Sequence, residues 1–202
     1  LNALNTSLDG KLCVMRGDPV DIIPELVAKV GASGVFWNRC YEPWRIARDK
    51  ALKTKLTSNN IQVESFNGSL LWEPWTVLKG DGTPYRVFTP FYRRGCLNAA
   101  PPRFPLAKPE TLKLTSIPDQ SMSIDALGLL PDHYWGAKMT PHWQIGEAAA
   151  MTRLGDFVDG GLKGYKDGRN FPARPNTSRL SAHLHWGEIS PNMAWYAAIE
   201  KR

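Results

Sequence analysis

Gly34-Val35-Phe36-Trp37-Asn38, a helical stretch from Pro43 to Leu56, and Ile61 through Phe66 are the residues on which the fold turns. The first and last are short apolar runs rich in β-branched and aromatic residues, which suit strands and are too short for independent helices. Between them, Trp44, Ala47, Ala51, Leu52 and Leu56 are expected to face inward, with Arg45, Arg48, Lys50, Lys53 and Lys55 facing water; Asn59-Asn60 is the stop. Upstream, Lys11-Leu12-Cys13-Val14-Met15 reads as another strand and Arg16-Gly17-Asp18-Pro19 as a turn into a helix. In that helix Ile23, Leu26, Val27 and Val30 form an i, i+3, i+4, i+7 stripe, and Gly31 and Gly34 end it. Pro24 is expected near the helix start, where a missing N–H does least harm. Strand–helix–strand–helix–strand with short connections predicts right-handed crossovers and a parallel sheet, a Rossmann-like α/β arrangement with flanking helices. No Gly-x-Gly-x-x-Gly run is present, so no dinucleotide site is inferred within it.

Beyond residue 66 the character changes. Gly80 to Pro84 is a tight turn, Tyr85 to Tyr92 is dense in aromatics, and residues 98–122 are rich in Pro, Ala and Ser, as in an interdomain linker. A helical period resumes near Trp143, with Ile145, Ala148, Met151, Leu154 and Val158 on one face. Ser190-Pro191 reads as the N-cap and first residue of a last helix. That helix reaches Arg202 without a stop, and Leu1, Leu4 and Leu8 read as an amphipathic helix already under way. The expectation is a fragment of a longer protein.

The 202 residues carry a net charge of +6 and a pI of about 9.3, a balance that favours polyanionic partners, nucleic acid first among them. Eight tryptophans suit either core packing or the handling of flat ligands. Cys13, Cys40 and Cys96 are odd in number and widely spaced, so neither a disulfide framework nor a zinc ribbon is supported, and a reducing, cytoplasmic setting is the default. No apolar run reaches the length of a membrane span.

The most informative segment for chemistry runs from Gly164-Tyr165 through Arg169-Asn170-Phe171-Pro172 and Thr177-Ser178-Arg179-Leu180-Ser181 to His183-Leu184-His185-Trp186-Gly187-Glu188-Ile189-Ser190-Pro191. Thr177, Ser178 and Ser181 form a hydroxyl cluster in a turn that starts a helix. Free backbone N–H groups there can hold an anion such as a pyrophosphate, with Tyr165 as a further phenol contact. The alternative is simple helix capping by Thr177 or Ser178. Arg169 is either a solvated surface charge or a phosphate contact. His183 and His185 form an His-x-His with no further ligand at metal spacing, so no metal is assigned. Cys40 lacks an acid–base partner in sequence and reads as structural.

Taken whole, the segment resembles the FAD-phosphate motif of the DNA photolyase/cryptochrome family. Trp143 with Gly146-Glu147 and Ala150, Arg16 to Pro19, Asn38 with Tyr41-Glu42-Pro43, and Thr83 to Phe91 look like that family in the same order. The His-Leu-His-Trp-Gly-Glu-Ile-Ser-Pro run looks closest to bacterial class I dimer photolyases. The resemblance implies that residues 1–92 are part of an α/β antenna-type domain, 93–140 a linker, and 141–202 the start of an all-α FAD-binding domain. It implies FAD as cofactor, with Tyr165, Thr177, Ser178, Leu180 and Ser181 contacting its phosphates or ribityl region, and Arg169 meeting the DNA backbone. A folate or deazaflavin antenna is common in the family, but Glu42-Pro43-Trp44-Arg45 departs from the folate-type pattern, so no antenna is assigned.

The activity implied for the parent protein is that of a deoxyribodipyrimidine photo-lyase, a carbon–carbon lyase. It would be a monomer that acts on damaged DNA and uses blue light and FAD to split cyclobutane pyrimidine dimers. The alternative is a cryptochrome-type photoreceptor acting through protein partners. The family's remaining FAD pocket and lesion contacts are expected beyond residue 202, so this chain alone is expected to hold FAD weakly or not at all and to repair nothing.

Overall fold

Asp18-Pro19 starts the first long helix through local chemistry. The Asp18 carboxylate accepts from the Val20 N–H at 2.9 Å, and Pro19 occupies the first helical position, where no N–H is needed. Gly31 closes the helix at φ 65°, and the Ala32 N–H donates back to the Val27 carbonyl at 3.0 Å. The computed structural model describes residues 1–117, 119, 121–130 and 134–201. In chain order the elements are α1 (Asn2–Ser7), α2 (Pro19–Val30), β1 (Gly34–Asn38), α3 (Pro43–Ser58), β2 (Gln62–Phe66), α4 (Phe88–Pro90), α5 (Tyr134–Met139), α6 (Glu147–Asp156), α7 (Tyr165–Gly168), α8 (Ser181–Trp186) and α9 (Pro191–Glu200). Two π-helices, Phe91–Gly95 and Phe157–Gly161, continue α4 and α6.

The chain divides into two units, Leu1–Phe66 with Pro109–Gln144, and Asn67–Lys108 with Ile145–Arg202. These cut points fall elsewhere than the 92/93 and 140/141 boundaries that the resemblance implies. Of the expected linker, residues 118, 120 and 131–133 lie outside the described residues, as does Arg202 of the expected last helix.

In the first unit β1 and β2 pair in parallel, Gly34 opposite Gln62 through Asn38 opposite Phe66. Val35, Trp37 and Val63 face a core of Val27, Leu52 and Leu56, joined by Ile23 and Ile61. Each fully buried leucine stabilises by about 2 kcal/mol relative to exposure. On the opposite face Phe36 and Phe66 stack with centroids 6.5 Å apart and remain about half exposed.

Three expectations are corrected here. Lys11 to Met15 is not a strand of this sheet, which has two strands among the described residues, not three. Val14 instead donates its N–H to Ser121 Oγ at 2.9 Å and accepts from the Met122 N–H at 2.8 Å, so its polar groups are met by a distant loop. On α3 Leu52 and Leu56 are buried as expected, but Trp44 is 62% exposed, and Ala47 and Ala51 also face out. The half-buried side carries Arg45, Arg48 and Asp49, because the Arg48–Asp49 pair (2.6 Å) neutralises charge there. The guanidiniums of Arg45 and Arg48 lie 5.0 and 5.7 Å from the Trp44 ring centroid. Finally, Pro24 is the sixth residue of α2, deeper than the first turn. Its absent N–H leaves the Val20 carbonyl without the usual donor four residues on. Lys55 of α3 donates to that carbonyl at 3.0 Å and pairs with Asp21 at 3.1 Å.

In the second unit Ala150, Leu154, Leu180 and Ile189 form the core, with Val158, Met193, Ala194 and Ala197 packed against it. The inward face of α6 is thus 150, 154 and 158, while Ile145, Ala148 and Met151 face out. The spacing of four leads into the wide π-turn Phe157–Gly161. At α9 the Ser190 hydroxyl accepts from the Met193 N–H at 3.1 Å, behind Pro191, as the sequence predicts. The buried Asn192 amide donates to the Arg103 carbonyl at 2.7 Å. The Tyr196 hydroxyl donates to the Pro102 carbonyl, and its ring stacks on Phe104 at 4.2 Å. Residues 102–104, within the expected linker, are thereby fastened to α9.

Candidate functional site

The residues singled out from the sequence gather in the second unit, around α7 and the turn leading into α8. Gly164, at φ 93°, breaks the chain direction and starts α7. Tyr165, the first residue of α7, keeps an exposed ring, set edge-on to Phe157 at 5.9 Å. One turn later the Arg169 guanidinium lies 5.7 Å from the Tyr165 ring centroid. Among the described residues Arg169 has no carboxylate partner, so its charge is open to an anion.

In the turn, Arg179 adopts φ 52°, a left-handed conformation that a side chain of its kind seldom takes. The reversal drives Leu180 inward, where it is 4% exposed, and leaves Thr177, Arg179 and Ser181 outside. The consequence is a row of unanswered donors. Among the described residues, the N–H groups of Thr177, Ser178, Arg179, Ser181, Ala182 and His183 donate to no protein acceptor, and the Thr177 and Ser181 hydroxyls make no hydrogen bond. No side chain caps α8. Ser178 Oγ accepts only a long bond, 3.4 Å, from the Leu180 N–H. The capping alternative is therefore not what these hydroxyls do. Leu180 differs from the other four residues of the expected cofactor set: its side chain is core and its amide is already engaged by Ser178.

Hydroxyls plus a run of free amides are the donor set that a phosphate chain requires, and carboxylates, which would repel one, are absent from residues 175–182. The residues present fit a nucleotide diphosphate. A cavity of about 290 Å³ lies in the other unit, lined by residues 10–13, 116–117 and 121–123, and no expected site residue lines it.

Below the turn His183 is buried, and its Nδ1 lies 2.6 Å from Glu188 Oε2. The Glu188 N–H donates to the His183 carbonyl at 2.9 Å across Gly187, whose φ is 71°. His185 instead lies on the surface, edge-on to the exposed Trp186 at 5.0 Å. The two histidines of the His-x-His point to different environments. Among the described residues no group of three metal-ligating side chains forms.

Sequence reading missed Asn176. Its amide nitrogen donates to the Gly161 carbonyl at 3.0 Å and the Lys163 carbonyl at 3.4 Å. Its side chain covers the buried Gly168, where a Cβ would meet Asn176 Oδ1 at 2.1 Å. Asn before Thr-Ser is an ordinary turn composition, and nothing in the spacing marks it as a tie to residues 13 to 15 positions earlier. Arg174, held over Phe171 at 4.2 Å, was likewise not foreseen.

Residues 1–110 match the family model described as DNA photolyase. The chain belongs to that family. It is 42% identical over 201 residues to deoxyribodipyrimidine photo-lyase of Agrobacterium fabrum, covering 98% of this chain and 42% of that protein. It is 34% identical over 179 residues to cryptochrome-1 of Arabidopsis thaliana, covering 86% of this chain and 25% of that one. The crystal structure of a bacterial class III photolyase from Agrobacterium tumefaciens superposes with a TM-score of 0.90 at 42% identity, over 98% of this chain and 42% of that one. That relative is a class III photolyase, whereas the histidine-tryptophan run looked closest to class I. The chain spans about 42% of the length of these photolyases. The fold is thus that of the photolyase/cryptochrome N-terminal region, and the family is one of flavoproteins. No helix of the described residues is long and apolar enough to cross a membrane.

Proposed function

We propose that this chain serves light-dependent DNA repair as part of a photolyase that splits cyclobutane pyrimidine dimers. In this reading residues 1–92 belong to a Rossmann-like antenna-type domain, 93–140 to a linker, and 141–202 to the start of a helical FAD-binding domain. Tyr165, Thr177, Ser178, Leu180 and Ser181 serve FAD, and Arg169 serves damaged DNA.

The observation that carries the reading is the row of free amides and hydroxyls from Thr177 to His183. When bound, FAD supplies the photoexcited electron that opens the dimer. The chain's own residues bind and orient. The amides and the Thr177 and Ser181 hydroxyls would donate to diphosphate oxygens, and the Tyr165 phenol offers a further donor. Arg169, steadied over Tyr165, offers its guanidinium to a DNA phosphate, a contact that salt weakens. Leu180 contributes by anchoring the turn in the core rather than by a side-chain contact.

Adding FAD, ADP or riboflavin to the isotopically labelled chain and following backbone amide resonances tests this. FAD and ADP share the diphosphate and are expected to shift the amides of residues 177–183, whereas riboflavin, which lacks it, leaves them in place. Equal shifts with riboflavin, or none with FAD, overturn the reading. A second reading, a photoreceptor acting through protein partners, is favoured by the 34% identity to cryptochrome-1. Blue-light repair of a dimer-containing oligonucleotide by a polypeptide of the relatives' full length separates the two.

A further inference from the structure

The turn that carries Thr177 to Ser181 and the segment that carries Tyr165 and Arg169 are separate stretches of chain. Among the described residues, the only hydrogen bonds joining residues 175–181 to residues 157–170 are the two made by Asn176 Nδ2, to the Gly161 and Lys163 carbonyls. The rest of that side chain lies against Gly168, the last residue of α7: a Cβ there would fall 2.1 Å from Asn176 Oδ1, 2.3 Å from its Cγ and 2.6 Å from its Cβ. The Pro175 carbonyl closes in on Gly161 in the same way, 2.7 Å from where a Cβ would be. Gly168 thus makes room for the Asn176 side chain and Gly161 for the carbonyl just before it, and Asn176 sits immediately before Thr177.

We infer that Asn176 is the positioning residue that holds α7 against the Thr177–Ser181 turn, and so sets how tightly the chain takes a nucleotide diphosphate. The inference rests on the flavin reading of that turn. The chemistry selects an amide. One nitrogen must give two hydrogens to two carbonyl oxygens, while the rest of the side chain stays flat enough to pass over a backbone with no Cβ. Leucine has the same branching at Cγ but no donor, and unlike aspartate it brings no carboxylate to repel a phosphate chain. Asn176→Leu therefore keeps most of the packing over Gly168 and removes the donation without placing a charge beside the diphosphate. Without the tie, the phenol of Tyr165 and the amides of the turn converge on one ligand in only a fraction of molecules, and apparent affinity falls by that fraction.

The test is the dissociation constant for FAD, read from amide resonances of the 202-residue chain, with thermal unfolding measured on the same samples. Asn176→Leu is expected to raise the constant about tenfold, the equivalent of one or two ordinary hydrogen bonds. Lys55→Met, a destabilising change in the other unit, is expected to leave it within twofold. In a Tyr165→Phe background the effect of Asn176→Leu is expected to shrink, because the contact that the tie positions is gone. Should Asn176→Leu not fold, Asn176→Ser, which keeps one donor, takes its place with a smaller loss expected. An Asn176 variant that unfolds more easily yet binds FAD as the wild type does makes Asn176 a brace for stability alone and overturns the inference, leaving the flavin reading intact. A wild-type chain whose residues 177–183 do not respond to FAD overturns both.

Discussion

Replacing Gly168 by alanine reverses a familiar sign. In an ordinary helix Gly→Ala stabilises by about 0.5–1 kcal/mol, because alanine surrenders less backbone freedom. Gly168 has ordinary helical geometry in α7, since it is absent from the positive-φ glycines, so that gain is available. Against it stands the Cβ position, 2.6 Å from Asn176 Cβ as well as 2.1 Å from Oδ1. Swinging the Asn176 amide aside relieves the second contact and not the first, so backbone must move too. Overpacking of this kind costs about 1–3 kcal/mol. Displacing the amide also gives up two hydrogen bonds of about 0.5–1.5 kcal/mol each. The net expectation is destabilisation by roughly 1–5 kcal/mol after the helical gain is subtracted. Urea unfolding, followed at a tryptophan of the second unit such as Trp195 or Trp186, measures it. Asn176→Gly removes the obstructing side chain, so Gly168→Ala in that background is expected to be neutral or stabilising. A neutral Gly168→Ala in the wild-type background, or the same penalty in both, refutes the close approach of these residues.

Three further outcomes are expected. Lys55→Met strips the Val20 carbonyl of the donor that substitutes for Pro24 and should lower stability by about 1 kcal/mol; in a Pro24→Ala background, where the helix supplies its own donor, the loss in a denaturant titration should be smaller. Asp81 accepts from the Thr83 hydroxyl and N–H and from Lys79, which hold its carboxyl down at about 2. Because the folded value is depressed, its contribution is present above the ordinary carboxylate range and is lost as pH falls towards 2; a carboxyl titration by NMR should find Asp81 still ionised at pH 3, and Thr83→Ala should raise its midpoint. Arg169→Ala should weaken binding to duplex DNA in a fluorescence anisotropy titration and reduce the slope of log affinity against log salt by about 0.9, the signature of one lost phosphate contact.

Much of the local structure was legible before any coordinates. Asp18-Pro19 and Ser190-Pro191 cap and start helices, Gly31 and Asn59 end them, and the apolar runs at 34–38 and 62–66 pair as parallel strands. Each of these depends on a residue's own backbone preference or on neighbours within a turn. The inward face of α3 was not legible. Period alone put Trp44 inside, but an Arg48–Asp49 pair tolerates partial burial, and a tryptophan can stay out under two guanidiniums. The strand expected at Lys11 to Met15 failed for a related reason. An extended apolar run says that a strand is affordable, not which backbone will answer its N–H and C=O groups; here Ser121 and Met122 do.

The order of motifs from Arg16 to Pro191 by itself pointed to the family, because hydroxyl-rich turns and helix caps are written in short runs of consecutive residues. Whether the donors of Thr177 to His183 are free, and what holds them in place, was decided only in three dimensions. Arg179 turns left-handed and buries Leu180, and Asn176 reaches back to Gly161 and Lys163. Those choices depend on which distant carbonyls and vacant Cβ positions lie within about 3 Å, a condition that hydrogen bonding and close packing impose and that no local pattern encodes.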